Sequence, residues 1–240
     1  MQLANHSWEQ IADYLARDNR VILPIGATEQ HGRHLGVGAD YFIAQAIAEK
    51  IGEQTRALVA PTLAYGMSHL HSEFAGTLSL SPTTLSAVLQ DILHSLYRHS
   101  FRRVLIVNGH GGNQPSIQSS AAIVQTQFPD LRVKSFQWWL EPDIVKIVDD
   151  ALGKQQGTHA SNHETAFMFA VAPEGVHTTR IAPRDAPVVP SREFDSPTRF
   201  REKYPDGVMG LAPFQADAAL GLKLLEASVV LGVREMEHWA

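Results

Sequence analysis

The chain has 240 residues, of which 44% are hydrophobic and 19% are charged, and its formal net charge is -5. This length and apolar content suffice to bury one full core, so we expect a single domain over residues 1–240. An acidic chain offers no basic field to a phosphate backbone or to an anionic membrane surface, so neither nucleic acid nor a membrane is an expected partner.

The sequence contains no cysteine, which excludes disulfides, thiolate catalysis and iron–sulfur ligation. Residues 1–20 are amphipathic and acidic, without the basic start and apolar run of a signal peptide. No stretch approaches the roughly 20 apolar residues that span a bilayer. We therefore expect a cytoplasmic protein.

Apolar runs and helical periodicities alternate along the chain. Continuous or alternating apolar residues predict strands at residues 21–25, 58–63, 104–107 and 131–136. Apolar residues spaced three or four apart predict helices, which cover residues 41–53, 82–100, 113–128, 164–172 and 214–239. Residues 173–213, rich in Pro, Arg and Asp, are predicted to form a long surface excursion. The alternation predicts an α/β fold whose mostly parallel sheet is flanked by helices and binds ligands beyond the carboxyl ends of its strands.

Carboxylate and imidazole side chains follow two of these strands. Glu29 and His31 leave the first strand two residues apart, so an extended chain points both to one side. Asp40 closes the same loop, His110 follows the strand at 104–107, and Glu164 begins a later helix. Oxygen and imidazole ligands without a thiol suit Zn, Mn, Fe or Co, and they predict a catalytic rather than a structural metal.

The charges of this set favour two metal ions. Glu29, Asp40 and Glu164 supply three negative charges beside the neutral His31 and His110, so a single divalent ion leaves the cluster anionic. Two divalent ions and one hydroxide between them bring it to neutrality. Ions roughly 3.5–4 Å apart can share a carboxylate and lower the pKa of a bound water. Asp40 is the predicted bridge.

Two other functions stay open from the residues alone. Glycine loops at Gly26 and at 109–112, each followed by a helix, could hold a phosphate in a non-catalytic metal- or nucleotide-binding module. A P-loop would place Lys and Ser or Thr after Gly112, where Asn-Gln-Pro stands instead. The other alternative is a metal-dependent phosphoester hydrolase, for which Arg33 is the one cation near the ligand segments.

Three further residues have open roles. His71 lies in a polar loop that could simply be solvated. Trp138 and Trp139 form either an aromatic lid over the core or a wall of a substrate pocket.

The joint pattern of four segments resembles the creatininase, or creatinine amidohydrolase, family, and the resemblance covers most of residues 8–235. It implies a Rossmann-like α/β domain, two divalent metals, hydrolysis of a non-peptide or unusual amide bond, and a ring-shaped hexamer. The segments are Ile-Gly-Ala-Thr-Glu-Gln-His-Gly at 25–32 with Asp40, His71-x-x-Phe74-x-Gly76-Thr77, Asn-Gly-His-Gly-Gly-Asn at 108–113, and Glu164-Thr165.

The resemblance also implies roles for single residues. Glu29, His31, Asp40 and His110 match metal ligands of the family, with Asp40 as the bridge. His159 falls where creatininase has a histidine that handles the substrate and its proton.

Two departures from the creatininase pattern bear on the substrate. Gly112 stands where creatininase has a carboxylate, and Glu164 is the predicted replacement. Gln155, Gln156 and Thr158 stand where the creatinine-cleaving enzyme has Trp, an acidic residue and Glu, so creatinine is not the expected substrate. Other members with a Gly-Gly loop act on formamide-type amides of pyrimidine nucleotides or on a short modified peptide, and the sequence does not choose among them.

The sequence thus predicts a dinuclear metal-dependent amidohydrolase with two divalent ions per chain, Zn, Mn or Fe. In this hypothesis metal-bound hydroxide attacks the carbon of a small cyclic amide, formamide or similar molecule, and His159 protonates the leaving nitrogen. We also expect a homo-oligomer, for which the resemblance implies six subunits.

Overall fold

The computed structural model describes residues 1–154, 157–181, 195–210 and 215–239. Within them, the main sheet has four parallel strands in the order β2-β1-β3-β4. The predicted mostly parallel sheet is confirmed. The strands are β1 (Arg20–Ile25), β2 (Leu58–Val59), β3 (Arg103–Asn108) and β4 (Arg132–Gln137).

Helices cover both faces of this sheet, as predicted. Helices α1, α3 and α4 pack on one face, and α2, α5, α6 and α8 pack on the other. The helices are α1 (Trp8–Leu15), α2 (Ala39–Thr55), α3 (Pro82–Arg98), α4 (Gln114–Gln127), α5 (Pro142–Leu152), α6 (Asn162–Val171), α7 (Pro197–Lys203) and α8 (Ala218–Glu237).

The continuous apolar runs of β1 and β3 are explained by burial on both faces. Ile22 of β1 and Leu105 of β3 belong to the core beneath α2 and α8. Leu23 and Ile106, one residue further along each strand, belong to the core beneath α3 and α4. Successive side chains of a strand point to opposite faces, so a central strand covered by helices on both sides has no polar face.

The predicted strand at 58–63 is shorter than expected. Ladder pairing covers Leu58–Val59 and returns only as an isolated bridge between Leu63 and Ile25. Pro61 lies between them, is exposed and has no N–H to donate, so the regular pairing is interrupted there.

The predicted excursion at 173–213 is partly wrong, because it contains regular structure. Ser196 caps α7 by accepting from the Arg199 N–H, and Pro197 occupies the first helical turn. Strand β6 (Met209–Gly210) pairs antiparallel with β5 (Gly157–His159) in a second small sheet. Residues 182–194 and 211–213 of the excursion, and Phe214 of the predicted last helix, lie outside the described residues.

Helix α5 lies in a segment for which the sequence predicts neither a helix nor a strand. Its Ile144, Ile147 and Val148 are spaced as on one helical face, and they pack against the core. Within the described residues, none of the helices combines the length and the apolar composition that crossing a bilayer requires.

Candidate metal centre

The predicted ligand segments lie side by side because β1 and β3 are neighbours. Ile25 pairs with Asn108 at the carboxyl ends of the two strands, and the Gly109 N–H donates to the Ile25 carbonyl at 2.8 Å. The loop carrying Glu29 therefore leaves the sheet next to the loop carrying His110. This edge is where the sequence predicted the site.

Two glycines bring the start of α2 against this edge. A Cβ atom at Gly109 would overlap the backbone oxygen of Asp40, and one at Gly26 would overlap the backbone nitrogen of Tyr41. Glycine at both positions allows this close backbone approach. Asp40, in the first turn of α2, thereby reaches the other candidate ligands.

The five predicted ligands form one cluster at the edge of the sheet. His31 Nε2 lies 3.1 Å from Asp40 Oδ1, and His110 Nδ1 lies 3.3 Å from Glu29 Oε1 and 3.2 Å from Asp40 Oδ2. Glu29, Asp40 and His110 each offer a ligand atom within 4.8 Å of the others, and so do His31, Asp40 and Glu164. Asp40 belongs to both sets, which is the position required of a bridging carboxylate.

The unpaired polar atoms of this cluster suit a cation. Within the described chain, both carboxylate oxygens of Glu29, His31 Nε2, Asp40 Oδ2 and Glu164 Oε2 are buried without a hydrogen-bond partner. Buried polar atoms are usually satisfied, so such a concentration at one point indicates a missing partner. The donor atoms are oxygens and imidazole nitrogens, which fit a divalent transition metal.

The rings of His31 and His110 are oriented by backbone oxygens. His31 Nδ1 lies 3.2 Å from the Glu29 carbonyl oxygen, and His110 Nε2 lies 2.9 Å from the Met67 carbonyl oxygen. A carbonyl oxygen only accepts, so these nitrogens carry the protons of the neutral rings. The lone pairs of His31 Nε2 and His110 Nδ1 then face the carboxylates, which is the usual arrangement of a ligating histidine.

Three groups of this cluster have raised pKa values. Burial lowers the pKa of His31, but the adjacent Asp40 more than offsets this and raises it to about 10. The pKa of His110 is likewise raised well above its usual value, because Glu29 and Asp40 outweigh burial. Burial raises the pKa of Glu164 to about 7. Metal binding must displace these protons.

His159 lies beside the cluster at the end of β5. Its Nδ1 is 3.4 Å from Glu29 Oε1, its Nε2 is 2.8 Å from the Gln30 carbonyl oxygen, and its ring centre is 4.3 Å from that of His31. Burial, reinforced by His31 and His71, holds the pKa of His159 well below its usual value. Glu29, His31 and His159 also form a set whose ligand atoms lie within 4.8 Å of one another.

Two further buried residues, Gln30 and His71, lie at the site, and the sequence predicted no definite role for either. His71 Nε2 lies 3.7 Å from Glu29 Oε1, and the Gln30 carboxamide nitrogen lies 2.8 Å from His71 Nδ1. Both residues belong to the sequence segments that resemble the family motifs, so the sequence drew attention to them. Nothing in a single sequence shows that His71 packs against residues 29–31.

The two tryptophans lie in different surroundings. Trp138 is buried in the core, with its ring centre 4.8 Å from that of Phe167, which favours the core interpretation for this residue. Trp139 is half-buried, and a Cβ atom at Gly111 would lie 4.0 Å from its ring. Trp139 is therefore the tryptophan closer to the His110 loop.

The departures from the creatininase pattern have distinct settings. A Cβ atom at Gly112 would overlap both His110 Nε2 and the Met67 carbonyl oxygen, so no side chain fits there without displacing His110. Thr158 is exposed, and Gln155 and Gln156 lie outside the described residues. Arg33 is also exposed.

The profile of the creatininase family, creatinine amidohydrolase, matches residues 4–234 of the chain. The chain therefore belongs to the creatininase family, and it is a hydrolase of carbon–nitrogen bonds, as the resemblance predicted. It is similar to creatinine amidohydrolase of Pseudomonas putida, with 31% identity in an alignment 195 positions long that covers 73% of this chain and 73% of that protein. It is also similar to mycofactocin precursor peptide peptidase of Mycobacterium tuberculosis, with 30% identity in an alignment 233 positions long that covers 91% of this chain and 85% of that protein.

Solved structures agree with the fold. A creatininase with manganese matches with a TM-score of 0.87 and 25% identity, covering 98% of this chain and 96% of that one. A mutant creatininase of the Zn-Zn type matches with a TM-score of 0.83 and 26% identity, and the match again covers 98% of this chain and 96% of that one. The predicted creatininase-like α/β fold is confirmed, and manganese and zinc, both among the predicted metals, occur in creatininase structures.

Proposed function

We propose that this protein is a dinuclear metal-dependent amidohydrolase that cleaves a small non-peptide amide other than creatinine. The observation that carries the proposal is the pair of three-residue ligand sets that share Asp40. One set, Glu29, Asp40 and His110, would hold the first ion, and His31, Asp40 and Glu164 would hold the second. Glu164 thus supplies the carboxylate that Gly112 lacks.

Zinc or manganese fits the donor atoms of both sets, and iron shares the same ligand preferences. When bound, two such ions would polarise a carbonyl group and lower the pKa of a bound water molecule. The carboxylates of Glu29, Asp40 and Glu164 would offset most of the positive charge of two divalent ions, so the metal-loaded site would be close to neutral.

His159 is the proposed acid–base residue. His159 Nε2–H donates a hydrogen bond to the Gln30 carbonyl oxygen, so the lone pair of the neutral ring is on Nδ1, which faces Glu29 and the candidate metal centre. In this position Nδ1 can accept a proton and deliver it to the leaving nitrogen. Burial of the ring keeps it neutral, and therefore able to accept, at neutral pH.

The rival functions lack such support. A phosphoester hydrolase would use cations to stabilise an anionic transition state. In the described part of the chain, the side chains at ion-pair distance from the clustered carboxylates are histidines, and Arg33 is exposed. A nucleotide-binding module would not need two ligand sets that share a carboxylate.

The proposal is tested with a substrate panel on the Zn- and Mn-loaded protein. The panel contains formamides, cyclic ureides, lactams, a short peptide amide, creatinine and aryl phosphates. We expect turnover of one of the non-peptide amide classes, no turnover of creatinine or of the peptide amide, and loss of turnover with retained metal in His159→Gln. His94→Gln, which changes a surface histidine, serves as the matched control. Turnover of aryl phosphates alone would overturn the proposal, and loss of metal from His159→Gln would make His159 a ligand.

A single domain over residues 1–240, a cytoplasmic location and a homo-oligomer, with six subunits as the resemblance implies, remain predictions. Light scattering on the purified protein measures the subunit number. A monomer would contradict the oligomer prediction without affecting the proposed chemistry.

A further inference from the structure

The side chain of Gln30 lies between two backbone groups of fixed polarity. Its Oε1 accepts from the Gly32 N–H at 2.9 Å, and its Nε2 donates to the Gly207 carbonyl oxygen at 3.0 Å. A backbone N–H can only donate and a carbonyl oxygen can only accept, so the orientation of the carboxamide is determined by its chemistry.

The second N–H of the Gln30 carboxamide faces two imidazoles. His159 Nε2 lies 3.0 Å away and His71 Nδ1 lies 2.8 Å away. His159 Nε2 already carries a proton, because it lies 2.8 Å from the Gln30 carbonyl oxygen, which can only accept. The remaining acceptor is therefore His71 Nδ1.

This assignment determines what His71 can do. A neutral imidazole has one lone pair, and Gln30 occupies the lone pair of His71 on Nδ1, so the proton is on Nε2. Nε2 lies 3.7 Å from Glu29 Oε1, and the ring packs against that of Phe200 in a T-shaped arrangement, with ring centres 4.7 Å apart. His71 thus has a donor directed at a carboxylate and no lone pair left for a metal.

We propose that Gln30 is a positioning residue that fixes the proton of His71 on Nε2, so that His71 directs an N–H at the Glu29 carboxylate and is not a metal ligand. The hydrogen bonds run from the Gly32 N–H through Gln30 to His71, and His71 Nε2 lies 3.7 Å from Glu29 Oε1. The inference rests on the proposed function in one respect, that Glu29 binds metal. Residues that surround metal ligands orient them, and their loss costs about 10- to 100-fold in metal affinity or activity.

The test is nitrogen NMR of the zinc-loaded, ¹⁵N-labelled protein, in which long-range ¹H–¹⁵N correlations distinguish the two imidazole tautomers. The His71 signals are those that disappear in His71→Asn. We expect the Nε2–H tautomer for His71 in the unaltered protein. In Gln30→Glu the carboxylate accepts at the same place, so the proton moves to Nδ1 and kcat falls about 10- to 100-fold while zinc content is retained.

A remote pair provides the matched control. Gln127 Oε1 and His94 Nε2 lie 3.1 Å apart on the surface, so Gln127→Glu makes the same change beside another histidine. It should leave the His71 signals and kcat unchanged. In Gln30→Met the side chain has no hydrogen-bonding amide, so His71 should be a mixture of both tautomers. This variant replaces Gln30→Glu in the test if Gln30→Glu does not fold.

The Nδ1–H tautomer in the unaltered protein, unchanged His71 signals in both Gln30 variants, or zinc coordination by His71 would overturn the inference. Failure of the proposed function has a different signature, namely no zinc uptake and no amide turnover. In that case the His71 tautomer is still measurable in the metal-free protein.

Discussion

Gly112 shows how one residue shapes the candidate metal centre. His110 is aimed at the carboxylates by the hydrogen bond from its Nε2 to the Met67 carbonyl oxygen, and a Cβ atom at 112 would overlap both of these atoms. A carboxylate at this position is therefore incompatible with the observed placement of His110. Glu164, which reaches the cluster from α6, is the alternative that the structure offers.

We predict that Gly112→Ala lowers zinc affinity about 10-fold or more, because the orientation of a ligating histidine is lost. Gly111→Ala is the control, since the nearest atom to its Cβ would be 4.0 Å away on Trp139. Zinc affinity is measured by competition with a chromophoric chelator. Equal affinities of the two variants would show that the Met67 hydrogen bond does not orient His110.

Protonation of the cluster makes zinc binding pH-dependent. The pKa of His31 is raised to about 10 by Asp40 despite burial, and that of Glu164 is raised to about 7 by burial. Raised pKa values mean that the metal-free site holds more protons, which zinc must displace, so zinc affinity should rise with pH. In the metal-free protein, Glu164 loses its proton between pH 6 and pH 8, so at pH 8 zinc no longer has to displace that proton.

We therefore predict that the number of protons released on zinc binding falls by about one per chain from pH 6 to pH 8. Calorimetry in buffers of different ionisation enthalpy counts these protons. If the number of protons released does not change between pH 6 and pH 8, Glu164 either is not a ligand or is already ionised at pH 6.

The sequence could identify the candidate ligands but not the hydrogen bonds that orient them. Glu29, His31, Asp40 and His110 are recognisable because polar side chains directly follow apolar strands. The role of Gln30 depends on contacts with residues 32, 71, 159 and 207, and only the fold brings these positions together. The tautomer of His71 was therefore beyond the reach of the sequence.

At the scale of elements, the approach of α2 to the sheet edge determines whether Asp40 reaches the site. Gly109 permits this approach, since a Cβ there would overlap the Asp40 backbone oxygen. We predict that Gly109→Ala lowers the free energy of unfolding by about 1–3 kcal/mol, as overpacking does, and also lowers zinc affinity.

The control for this substitution is Gly36→Ala, whose Cβ would lie 3.7 Å from Gly175, an ordinary contact. Urea denaturation measures the stabilities of both variants without metal. A Gly109→Ala variant that is as stable as Gly36→Ala and binds zinc normally would show that α2 can move without loss of the site.

Elements with continuous or periodic apolar residues were predictable, and elements that depend on distant partners were not. Strands β1 and β3 and helices α3 and α4 were expected close to their observed bounds. Strand β6 has two residues and exists because it pairs with β5, about 50 residues earlier in the chain. The short helix α7 is stabilised by packing of its buried Phe200 against Phe74 and Tyr204, contacts that no local pattern reveals.

At the scale of the whole molecule, the fold brings three distant stretches of chain to one edge of the sheet. Residues 29–40 follow β1, residues 109–113 follow β3, and Glu164 lies in α6. Helix α6 packs against α2 and α8, so its first turn is held over the edge where Asp40 begins α2. The creatininase family assignment agrees with this arrangement and leaves the number of ions and the substrate to experiment.

The most direct test of the proposed two-metal centre is the number of zinc ions bound per chain, measured by elemental analysis after equilibrium dialysis. Because Asp40 belongs to two ligand sets, we predict close to two ions in the unaltered protein and close to one in Glu164→Gln, which removes a ligand of one set only. One ion or none in the unaltered protein, or two ions retained by Glu164→Gln, would contradict the proposed site.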